Sequence, residues 1–259
     1  MALSGDGKLI FSGSRDRRVR RWDEETSESM GKTLRGQEGC ARSVAVSGDG
    51  KLIVPGSDDE TVRRWDEETG TSVGNPLPRH NDWVIALVVS GDGKFVVSGS
   101  WDGTVRRWNG ETGVSLGERV RANGRSLRSV AVIEDGKLIV SGPDGKVRMC
   151  SGENGTTIWE RSRGHSREVS SVAMSGGGKL VVSALFDCKL RIWDGKFGES
   201  MGNPGRGHEH LVISTSVSGD GRKIASRAMD GRTRVWNTES GSCTRFIKFK
   251  YSNCTSSSD

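Results

Sequence analysis

RVRRWDEETS at residues 18–27, TVRRWDEETG at 61–70 and TVRRWNGETG at 104–113 each carry two adjacent arginines. Guanidinium forks match phosphate geometry, so doubled arginines on extended segments raise the chemistry of a polyanion grip. Such a grip needs unpaired bases on one shared surface, and here Asp23-Glu24-Glu25 and Asp66-Glu67-Glu68 follow at once to receive the charges. Two other stretches invite chemistry. His208-Glu209-His210 holds metal-ligand types, but no third ligand is spaced to join it. Gly31-Lys32-Thr33 looks like the end of a phosphate loop, yet Thr26 stands where that loop requires its first glycine. No metal, nucleotide or other cofactor is expected from these residues.

The rest of the composition is that of strands and turns. Glycine reaches 37 of 259 residues, tyrosine occurs once and alanine is scarce. Lys and Arg number 39 against 33 Asp and Glu, so the net charge of +6 is modest, and acids sit beside bases along the chain. That balance favours solubility over a dedicated nucleic-acid face. No basic segment followed by an apolar core opens the chain, and no apolar run is long enough to cross a bilayer, so a cytoplasmic protein without a membrane span is expected. Five cysteines without a CxxC spacing fit reduced thiols.

The elements that hold these residues repeat six times. Trp22, Trp65 and Trp108 are 43 residues apart, Cys150 stands 42 further on in place of a tryptophan, and Trp193 and Trp236 follow at 43. The turn SGDGK keeps the same beat at Ser4, Ser47 and Ser90, then varies as IEDGK, SGGGK and SGDGR. Each unit contains an apolar strand such as SVAVS, the Gly-Asp-Gly turn, a second strand such as KFVVSGS, a tight Asp-Gly turn, a third strand TVRRW and a looser fourth. Four short strands per unit at this period make a β-propeller blade, so the expectation is all-β: one domain over residues 1–250 and a polar tail over 251–259.

RGHSREVSSVAMSGGGKLVVSALFDCKLRIWD, residues 163–194, resembles a WD40 repeat, and the resemblance extends from Met1 to about Phe249. Near-identical units that vary at loop positions also resemble the WD-repeat sensor regions of fungal NLR-like proteins. The family resemblance implies a hydrogen-bonded tetrad in each blade: tryptophan N–H to a strand hydroxyl, hydroxyl to histidine, and histidine to a turn aspartate. The complete sets implied are His80, Ser98, Asp102 and Trp108; His165, Ser183, Asp187 and Trp193; and His208, Ser226, Asp230 and Trp236. Blade two departs with Gln37 and Pro55, and blade four with Asn123, Cys150 and one deleted residue, so these two are expected to be weak. Ser, His and Asp together suggest acyl transfer, but a hydroxyl buried between strands against a tryptophan has neither substrate nor oxyanion hole. A structural role is expected, not an enzyme.

The resemblance also assigns the arginines. Arg20, Arg63 and Arg106 share the tryptophan's face, while Arg21, Arg64 and Arg107 take the place of the family's apolar residue. Each of the latter is expected to lay its stem on packed surface and bring its guanidinium out to a nearby acid or to water, so an apolar residue should fit there equally well. In the family, partners dock most often on the face formed by the loops before the first strand and between the second and third. The matching residues are Trp83, Ile85, Leu211, Ile213, Arg42 and Arg128, with Arg15, Trp101, Phe186 and Met229 just ahead of the turn aspartates. An interaction scaffold for a protein or peptide is therefore expected, monomeric or within a larger complex; nucleic-acid or other polyanion binding through excess Arg and Lys is the alternative. Six units nearly fill the chain, which suggests a closed six-bladed ring, or else a fragment of a longer array.

Overall fold

The computed structural model describes residues 1–78, 80–121, 127–133, 137–143, 145–152, 154–161, 169–202 and 207–248. His165, Asn123 and the tail 251–259 lie outside them. The described residues form 22 strands and no helix. They make six antiparallel sheets in which chain neighbours are sheet neighbours, the order of propeller blades. Blade three shows the plan: Val84–Val89, Phe95–Ser100, Thr104–Asn109 and Val120–Arg121. Blades one, two, four, five and six occupy residues 2–35, 41–77, 127–161, 169–200 and 212–248. In blades two and five the fourth strand is reduced to isolated bridges such as Val62↔Leu77 and Trp193↔Ser200.

The Gly-Asp-Gly turns hold themselves. Ser90 donates to Asp92 at 2.7 Å and accepts from the Phe95 amide at 2.9 Å, and Ser47 with Asp49 and Ser218 with Asp220 repeat the bond. The second turn needs a left-handed residue. Gly103, Gly145 and Gly231 supply it in blades three, four and six, whereas Arg17, Glu60 and Cys188 adopt φ near 65° in blades one, two and five. A side chain there costs energy that glycine avoids.

Blade two is weakened where the sequence indicates. Its third strand is only Trp65–Asp66, against six residues in blade three, because Pro55 has no N–H to donate across the ladder. Blade four keeps all four strands, with Cys150 buried at the tryptophan place.

The core lies between blades. Each sheet has a front face that meets the next blade and a back face that meets the preceding one. Val54, Val62 and Leu77 of blade two pack on Val84, Leu87, Val96 and Trp108 of blade three, and Val182, Leu190 and Ile192 of blade five on Val212, Ile224 and Trp236 of blade six. Alternation of side chains along each strand makes both faces available at once. Among the described residues, no strand of blade one makes a contact with blade six comparable to those between neighbouring blades, so the closure expected from the residue count is not seen there.

Candidate functional site

The strand hydroxyl is the centre of each tetrad. Ser98 sits on the second strand opposite Arg106, two pairs from Trp108 and on the same face, which lets the indole N–H reach its oxygen. Trp108 Nε1 donates to Ser98 Oγ at 3.1 Å, Ser98 Oγ lies 2.7 Å from His80 Nε2, and His80 Nδ1 lies 3.0 Å from Asp102 Oδ2. Blade six repeats this with Trp236 to Ser226 at 2.8 Å, Ser226 to His208 at 2.8 Å and His208 to Asp230 at 3.0 Å. Trp193 donates to Ser183 at 2.8 Å; the His165 half of that set is outside the described residues. Burial alone would raise the Asp102 carboxyl, but hydrogen bonds from His80, Thr104 and the Asn81 amide outweigh it and hold the group below the usual range. Asp230 is lowered in the same way, against burial, chiefly by His208. The ionised aspartate accepts a hydrogen bond from Nδ1–H, which leaves Nε2 to accept from the serine hydroxyl.

The other blades show what a missing member costs. Blade one has the Trp22 to Ser12 bond at 2.7 Å, but Asp16 accepts from Arg20 instead of a histidine. In blade two both polar atoms of the buried Gln37 side chain and the Trp65 indole nitrogen have no hydrogen-bond partner. The missing partner is the hydroxyl that Pro55 cannot supply.

The second arginine of each pair does not turn to its own acids, which corrects the expectation from the sequence. Arg21 reaches forward to the carboxylate of Glu67 and, at 3.0 Å, to its carbonyl. Arg64, 3 % exposed, donates to the carbonyls of Gly110 at 3.0 Å and Glu111 at 2.7 Å, and Arg107 donates to the Gly152 carbonyl. Burial lowers the pKa of Arg64 and Arg107. Each arginine thus ties its blade to the hairpin of the next. Met149 replaces the arginine in blade four, and there the Trp159 indole donates to the equivalent Gly195 carbonyl at 3.0 Å. Sequence reasoning missed Trp159 because it lies on the least regular strand of the least regular repeat. Of the first arginines, Arg20 pairs with Asp16 and Arg106 lies over Trp108.

Five of the ten rim residues come together. Trp83 and Trp101 stack with centroids 4.7 Å apart, joined also by the Trp101 amide donating to the Trp83 carbonyl at 3.0 Å. Arg42 of blade two lies over Trp83 at 4.6 Å and pairs with Asp58 at 2.7 Å. Arg128 of blade four sits over Trp101 at 5.8 Å and over Phe186 of blade five at 5.3 Å. The result is a ladder of cations and rings across four blades, in the order Arg42, Trp83, Trp101, Arg128 and Phe186. Arg15, Ile85, Leu211, Ile213 and Met229 stand apart from it. Met229 is 64 % exposed, and its amide donates to the Leu211 carbonyl at 2.9 Å.

The model of the WD domain, G-beta repeat, matches residues 1–23, 29–66, 70–109, 155–194 and 203–237, over half of the chain. The chain belongs to the WD40 family. The unmatched stretch between 109 and 155 is the body of blade four, which carries Cys150 and the deletion. No curated protein matches the chain, so the narrower likeness to fungal NLR-like sensor regions rests on the repeats alone. WD40 repeats form protein–protein interaction scaffolds and are generally non-catalytic. No helix among the described residues is long and apolar enough to cross a membrane, and no cluster of three or more His, Cys, Asp or Glu there could hold a metal.

Proposed function

We propose that this WD40 protein is a non-catalytic scaffold that binds a protein or peptide on the loop face centred on Trp83, Trp101, Arg42, Arg128 and Phe186. The observation that carries this reading is the half-exposed tryptophan stack of blade three, flanked by Arg42 and Arg128 on the first strands of blades two and four. Large rings and guanidinium groups bury much surface at little entropic cost and dominate interface energies. A blade framework locked by tetrads keeps such loops in place before binding, which lowers the cost of association.

Polyanion binding has less behind it. Arg21, Arg64 and Arg107, the bases that the sequence offers most insistently, are committed to blade interfaces. The test is capture from cell extract at two salt concentrations by the wild-type chain and a Trp83→Ala, Trp101→Ala variant. Protein partners lost in the variant and retained at high salt support the proposal; nucleic acid lost with salt, and equally bound by both proteins, overturns it.

A further inference from the structure

We infer that the chain carries a second docking surface, apart from the loop face: the groove between blades four and five takes an acidic peptide segment of a partner protein, anchored by one large apolar side chain.

Three replacements converge on that junction. In blades one to three an arginine spans the gap to the next hairpin, as Arg64 does when it donates to the Glu111 carbonyl at 2.7 Å. Met149, 1 % exposed, takes the arginine's place in blade four and leaves an apolar floor. The hairpin of blade five has Phe197 where the other blades have Thr26, Thr69, Thr112, Asn154 and Ser240. Beside it stands Lys196, where all five of the others have glutamate. Ile192 of blade five also stands in place of an arginine, but the hairpin beyond it keeps Glu239 and Ser240. The result is an open groove of about 460 Å³ lined by Leu138, Met149, Ile158, Lys179, Lys196 and Phe197. It lies at the end of the blades opposite the loop face, because its turns join the first strand of blade five to the second and the third to the fourth.

Phe197 is 58 % and Ile158 47 % exposed, an apolar pair that gains by being covered. The ring stands on a fixed hairpin: Asp194 accepts from the amides of Lys196 and Phe197 at 2.9 and 2.7 Å, and Arg161 donates to the Phe197 carbonyl at 2.6 Å. A backbone already in place loses little freedom when a partner docks. Charge selects that partner. Lys196 lies over the Phe197 ring at 5.0 Å, and neither it nor Lys179 forms an ion pair among the described residues. The nearby carboxylates are committed, Asp194 to the two amides and Glu160 to Lys146 and Arg148. Two such cations beside an apolar groove favour acids that flank an apolar anchor. The backbone adds a reason for a peptide. The Lys196 carbonyl corresponds to the Glu111 carbonyl that receives Arg64, yet it accepts no hydrogen bond among the described residues. It suits a peptide N–H, a donor that an acyl chain lacks.

The experiment titrates the full chain against a synthetic set of fluorescently labelled peptides, each with a single Leu, Ile, Phe or Trp between two runs of Asp and Glu. Counterparts carry Ser at the anchor or Lys in the flanks. Binding by anisotropy is expected for the acidic anchored peptides, at least about tenfold tighter than for either counterpart. Lys196→Glu and Phe197→Thr, which restore residues carried by other blades, should each weaken it by at least about tenfold, with melting curves confirming the fold. The Trp83→Ala, Trp101→Ala variant should bind as wild type does, which separates this groove from the loop face. Three results would overturn the inference: no acidic anchored peptide binding with a Kd below about 1 mM, equal binding by both groove variants, or binding lost in the loop-face variant. So would sedimentation with phosphatidylserine vesicles that needs Lys196 while the peptides fail to bind, which would point to a membrane instead.

Discussion

Ser226 accepts from Trp236 and lies within hydrogen-bond reach of His208, so alanine there leaves two buried groups without partners. The expected cost is about 1–3 kcal/mol by denaturant unfolding. Gln37→Ala should cost less, because Gln37 already lacks partners. The reverse change is more telling: Pro55→Ser with Gln37→His gives Trp65 an acceptor and restores a ladder N–H, and should stabilise the chain by about 1–3 kcal/mol. No gain from the pair would count against the tetrad as the blade's lock. The aspartates make a separate mark. Asp102 and Asp230 titrate below their unfolded values near 3.9, so their contribution is whole above about pH 4 and is lost as pH falls through the folded values. Stability measured from pH 6 down to pH 3 should fall less in Asp102→Asn than in wild type. The sets of blades three and six were legible in the sequence because the three spacings that define them recur unchanged.

At the scale of the strand, the arginines were misplaced by sequence reasoning. Periodicity says that Arg64 leaves the face of Trp65, but not that the carbonyls of residues 110–112 wait on that side. Acids nearby in sequence were the wrong partners because the next blade lies closer in space than the strand's own turn. Arg64→Met would be harmless if an apolar residue simply fitted the slot. With the buried Gly110 carbonyl left unpaired, it is instead expected to cost about 1–3 kcal/mol, measured as a shift in the unfolding midpoint. The turn at Cys188 offers a gain. Its φ of 65° suits glycine, so Cys188→Gly should raise stability by about 1 kcal/mol, while Gly231→Ala should lower it.

For the whole molecule, counting residues established the number of blades but not whether they close. Six repeats fit the length, while among the described residues blades one and six lack the strand contacts that join neighbouring blades. The ladder of rings and arginines was partly legible. Alignment placed all five residues on the face proposed for docking, but which of the ten candidates touch depends on the turn between blades, which spacing does not encode. The most direct test of the binding face is a titration. Peptides selected by display against the full chain would be measured against wild type and the Trp83→Ala, Trp101→Ala variant, with melting curves confirming that the variant folds. Affinity is expected to fall at least about tenfold in the variant and to change little between about 50 and 300 mM salt. Equal affinity for both folded proteins, or a steep loss with salt alone, would contradict it.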